Sequence, residues 1–126
     1  MTPFLGRKAV NTMNESVLDT IRRMLGIPDD GSYDNDIIVN INAAFFTLYQ
    51  LGVGTLEPFV VKSDQDVWSS FTKDSNKLEA IKLYIYIRTR LAFDPPSTSF
   101  VIDSLKKTAD EIEWRLTAEH DGSVSL

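Results

Sequence analysis

The sequence predicts an all-α protein, a small bundle of four to five helices with one long loop at about 52–66. Apolar residues recur at i, i+3/i+4 spacing in separate windows. Cap residues open these windows, and Gly or Pro closes them. One short piece, 59–61, reads as extended chain. With 126 residues, 43% of them hydrophobic, the chain can bury roughly two-thirds of the surface its unfolded form exposes. It needs no covalent staple, and a single domain over 14–117 is expected.

Residues 1–13 show no period, and Pro3 and Gly6 oppose an early helix, so they read as a flexible arm. The first helix is expected over about 15–25, capped by Ser16 or Asn14 and closed by Gly26 and Pro28. Val17, Leu18, Ile21, Met24 and Leu25 form its buried stripe. Arg22 and Arg23 suit the negative end of its dipole. A second helix, about 35–51, has Asp34 as its expected cap and Gly52 as its stop. Ile37, Ile38, Ile41, Ala44, Phe45, Leu48 and Leu51 make one wide face. Val39, Phe46 and Tyr49 make another, so the helix is either central or pressed against a second subunit. Asn40 and Asn42 are expected to meet water or a partner carbonyl.

The loop GVGTLEPFVVKSDQD is long for a small helical domain, which makes it a candidate projection toward a partner. Val53, Thr55, Leu56 and Phe59 are its candidate interface residues. A short helix over about 65–72, capped by Asp64 or Asp66, carries Trp68 as a core anchor. The next helix, about 76–93 with Ser75 as its cap, is apolar on two faces. The others must therefore cover it, and Lys82, Arg88 and Arg90 must reach solvent or pair with carboxylates. Asp94-Pro95-Pro96 breaks it. Ser97 or Thr98 caps a last helix running to about 118, antiparallel to the one before, with a seam of Val101, Leu105, Ala109, Ile112 and Leu116. Trp114 is off the seam, on a mostly polar stripe with Phe100. It is either an interface anchor or a ring lying over its own helix. Residues 118–126 read as a disordered tail.

The chemistry of most function classes is missing. There is no cysteine, which removes disulfides, thiolate metal sites and a cysteine nucleophile. The only histidine, His120, lies in the tail, so a serine triad has no ordered base. Asp29-Asp30-Gly31 does not follow calcium-loop spacing, and Gly52-Val53-Gly54 lacks the lysine of a phosphate loop. No cofactor, metal site or catalytic residue is expected, and the chain does not read as an enzyme. A net charge of -5 and a pI near 4.7 oppose sequence-independent nucleic-acid binding. No apolar run approaches a membrane span, and the N-terminus does not read as a signal peptide.

The wording of the chain carries more than its composition. The segment KLYIYIRTRLAFDPPSTSFVIDSLKKTADEIEWRL resembles the head-tail connector (adaptor) family of tailed phages. So do Leu-Gly-Ile-Pro-Asp-Asp after the first helix, Ile-Asn-Ala-Ala-Phe-Phe-Thr-Leu-Tyr-Gln-Leu-Gly-Val-Gly in the second, and Trp68-Ser-Ser-Phe71. The likeness covers roughly residues 15–117. It implies a non-catalytic virion protein at the head-tail junction, made in the host cytoplasm. It would form a ring with itself, twelve-fold as in the family, beneath the portal protein. That ring would extend a channel through which DNA passes without specific binding, and would dock stopper or tail-completion proteins. The candidate interface is then Trp114, Phe100, Val53, Thr55, Leu56, Phe59, Phe46 and Tyr49. The alternative is a small helical nucleic-acid-binding or regulatory domain using Arg22-Arg23 or Arg88 and Arg90.

Overall fold

The computed structural model describes residues 13–121, with side chains through Ala118. Among the described residues there are four helices, α1 (Val17–Leu25), α2 (Asp34–Gln50), α3 (Ser75–Phe93) and α4 (Ser99–Asp121), and one 3-10 turn at Trp68–Ser70. Among the described residues there is no strand, only one isolated antiparallel bridge between Ser16 and Val67. The all-α bundle expected from the sequence is the fold observed.

α1 starts where Ser16 Oγ accepts the Asp19 amide at 3.1 Å. It ends at Gly26, left-handed at φ 74°, with the Ile27 amide bonded back to the Arg22 carbonyl at 3.2 Å. Val17, Leu18 and Ile21 are buried and Leu25 is partly buried against the core, but Met24 is exposed. Arg22 does more than suit a dipole. Its guanidinium is buried and donates to Asp19 and, at 2.8 Å, to Asp34 across the turn. Burial opposes its charge, yet the two carboxylates outweigh this and hold its pKa above the usual value. Asp34 is therefore not the cap of α2. Tyr33 sits there without a side-chain bond, and Asp34 is the first helical residue, clamped to α1.

α2 buries Ile37, Ile41, Ala44, Phe45 and Leu48. It closes with the Gly52 amide on the Tyr49 carbonyl and the Val53 amide on the Leu48 carbonyl, both at 2.9 Å. This six-to-one closure needs the left-handed φ of 82° that Gly52 supplies.

The two ends of the 52–66 loop pack on the body, and residues 54–58 between them are exposed. Val53 is buried, and Phe59 packs its ring 4.9 Å from Phe45 and 5.6 Å from Phe71. The 59–61 piece joins no strand. The Asn42 side chain takes its place, accepting from the Val61 amide at 2.7 Å and donating to the Val61 carbonyl at 3.0 Å. Gly54, at φ 104°, passes so close to Phe71 that a Cβ there would sit 2.5 Å from the ring.

The helix expected over 65–72 shrinks to one turn because its backbone is engaged elsewhere. The Val17 amide bonds Asp66 O at 2.9 Å, the Trp68 amide Glu15 O at 3.2 Å, and the Ser69 amide Met13 O at 2.8 Å. Asp66 does not cap the turn either, but accepts from the Lys62 and Ser63 amides. Met13, expected in the arm, thus belongs to the folded body. Residues 1–12 lie outside the described residues. Trp68 is the expected anchor, fully buried, with Nε1 donating to Thr20 Oγ1 at 3.0 Å. Lys82 Nζ lies 5.9 Å from the centre of the Trp68 ring, 3.4 Å from Glu15 and 3.8 Å from Glu79.

Asp74, not Ser75, caps α3 by accepting from the Asn76 amide at 2.9 Å. α3 packs against all three other helices, which accounts for its two apolar faces. α4 runs back antiparallel. Asn76 and Ala80 lie beside Ile112 and Leu116 at one end, and Leu91 and Ala92 beside Lys106 and Ala109 at the other. Since Ala92 already faces Lys106, the first turn and a half of α4 has no α3 opposite it, and Val101 is exposed. The helix extends to Asp121, so the expected tail is helical in its first residues; 122–126 lie outside the described residues.

Candidate assembly surface

α2 and α4 flank α3, and each turns a second face outward. The rotation of α4 is set from inside. Ala109, Ile112 and Leu116 are buried, and the fully buried Tyr84 donates its hydroxyl to Glu113 Oε2 at 2.6 Å. Arg88 lies 3.8 Å from the same carboxylate. Burial, then the bond to Glu113, push the Tyr84 phenol above its ordinary pKa. This rotation directs Phe100 and Trp114 away from the core, at 78% and 63% exposure.

The outer face of α2 follows the same logic. With Ile37, Ile41, Ala44 and Leu48 inside, Val39, Ala43 and Phe46 fall on the opposite side. Val39 is 66% exposed, and Phe46 stacks on Tyr49 with ring centres 5.8 Å apart. Beyond the helix end, Leu56 at the loop tip is 98% exposed. The outer side of α2 is thus apolar, while that of α4 carries two exposed rings, Phe100 and Trp114, among the exposed Asp103, Lys107 and Asp110.

The candidate interface residues divide accordingly. Trp114, Phe100, Phe46, Tyr49, Thr55 and Leu56 are at the surface; in the single chain Val53 is buried, and Phe59 is half-buried against the core. Val39 was assigned to the outer face but not singled out, although its i+7 relation to Phe46 was legible.

Among the described residues no three His, Cys, Asp or Glu side chains gather as metal ligands. The groove between α3 and α4, about 400 Å³ and wide open, offers Arg88, Lys106 and Asp110 without a buried acid–base pair. No described helix is long and apolar enough to cross a membrane. The arginines that a nucleic-acid reading requires are engaged within the chain. Arg22 holds Asp19 and Asp34, Arg23 reaches Glu15 at 3.2 Å, Arg88 pairs with Glu113, and Arg90 donates to Tyr86 Oη at 3.0 Å.

A family model described as phage connector protein matches residues 17–123, from the start of α1 to beyond α4. The chain belongs to the phage connector protein family. Membership gives this connector a structural role at the phage head–tail joint. No curated protein and no solved structure matches it.

Proposed function

We propose that this connector assembles as a ring beneath the portal, extends the DNA channel, and presents a docking surface for stopper or tail-completion proteins, with no reaction catalysed. The supporting observation is the set of large apolar side chains turned outward, Val39, Phe46 and Leu56 on one side and Phe100 and Trp114 on α4, on a chain whose interior is already filled by α3. Exposed Trp and Phe on otherwise polar helices mark contacts with other chains. The net charge of -5 suits a channel wall along which DNA slides without sticking.

The test is electron microscopy of the purified protein mixed with its portal, alongside sedimentation velocity of the protein alone. A ring on the portal's tail-facing end is the expected result, with twelve-fold symmetry as in the family. A protein that leaves the portal bare and binds duplex DNA in a salt-dependent way would overturn the reading.

A further inference from the structure

Lys82 is a cation with little water around it. The residue is 7% exposed, and its ammonium lies 5.9 Å from the centre of the Trp68 ring. Among the described residues its ion-pair partners are Glu15 at 3.4 Å and Glu79 at 3.8 Å. The Glu79 side chain is 79% exposed, so solvent screens that pair. Glu15 is the closer and less exposed partner, and it belongs to no helix. It stands in the short stretch before α1, where its carboxylate also meets Arg23 at 3.2 Å and Thr20 Oγ1 at 3.4 Å.

The hold on that stretch is slender. The Met13 carbonyl accepts from the Ser69 amide at 2.8 Å and the Glu15 carbonyl from the Trp68 amide at 3.2 Å, while Asn14 between them is exposed. Directly afterwards the chain is fixed. Ser16 caps α1, and Val17 is fully buried with its amide bonded to the Asp66 carbonyl. The counter-charge of a buried lysine thus sits on the weakly held side of a fixed point.

We propose that residues 13–15 form a strap hinged at Ser16, latched by the Glu15–Lys82 pair, which opens and closes while the bundle stays folded. The closed strap gives Lys82 its counter-charge and covers the ammonium; the open strap leaves that cation beside Trp68 facing solvent. Segments held by few backbone bonds and little apolar area open locally, well below the free energy of global unfolding. What keeps this one shut is the cost of leaving a buried ammonium without its carboxylate. The Arg23 contact adds little, since Arg23 is itself exposed. The device belongs to the single protomer and does not depend on the ring reading.

Glu15→Gln keeps the shape of the strap and both of its backbone bonds, and removes the charge. Hydrogen exchange at the Trp68 and Ser69 amides, whose acceptors lie in the strap, should quicken at least about tenfold. Acylation of Lys82 by limiting acetic anhydride, followed by peptide mass spectrometry, should rise with it. The Val17, Val61 and α3 amides should keep their protection. Adding Lys82→Met removes the stranded charge and keeps an apolar stem, so the Trp68 and Ser69 amides should return to the parent rate. Exchange and acylation left unchanged by E15Q overturn the latch. An equal rise at Val17 and throughout α3 overturns the strap, because the bundle then opens as a whole. A local rise that K82M does not reverse overturns the buried charge as its cause.

Discussion

At the scale of single residues, Tyr84 is the most informative group. Its neutral phenol is favoured in the fold by burial and by the bond to Glu113. The folded pKa lies above the ordinary 10.0, so the unfolded chain releases its proton first as pH rises. The contribution is therefore intact below pH 10 and declines above it, toward the folded value. Tyr84→Phe should cost about 1 kcal/mol near neutrality. It should also flatten the alkaline loss of stability, which urea midpoints at about pH 8 and about pH 11 would measure. Trp68→Ala should be far more damaging, by about 3–5 kcal/mol. It empties the core beneath Thr20 and Lys82 and takes away a ring that holds the Nζ of a buried lysine. A urea or thermal unfolding curve gives the figure. Sequence reasoning recognised Trp68 as an anchor from its company, Val67 and Phe71. It could not place Lys82 against Trp68 and Glu15, because that meeting depends on how 13–17 lies along 66–69.

At the scale of elements, the helices were legible and their connections were not. Ser16, Gly26, Gly52 and the Pro95-Pro96 corner announce their roles through local chemistry. Asp34, Ser75 and Asp66 looked equally like caps, yet a distant Arg22, an adjacent Asp74 and two loop amides decided otherwise. The attachment of the loop is not legible either, since it depends on Asn42, nineteen positions before Val61. Asn42→Ala should leave both polar groups of the buried Val61 peptide without their partner and cost about 1–3 kcal/mol. Faster hydrogen exchange at the Val61 amide, with the α3 amides unchanged, would localise the loss to the loop. Unchanged protection would show that the loop is held by Phe59 and Val53 alone.

For the whole molecule, stability and assembly should separate cleanly. Trp114→Ala removes a side chain that the protomer does not bury. Its melting should stay within about 0.5 kcal/mol of the parent, while sedimentation shows weaker association. A large loss of protomer stability would place Trp114 in the core after all. The division of the candidate site follows the same line, since a solvent-facing Trp at i+14 from Phe100 can be read from helical period, but a loop residue's burial cannot. The bridge between Ser16 and Val67 bears on how the chain reaches this state. α3 and α4 are neighbours across five residues and can zip together from local contacts. The bridge instead closes a ring of about two-fifths of the chain, and that entropy must be met before Trp68 finds Thr20. The α3–α4 hairpin should therefore gain hydrogen-exchange protection early in refolding, and the Val17 and Trp68 amides late.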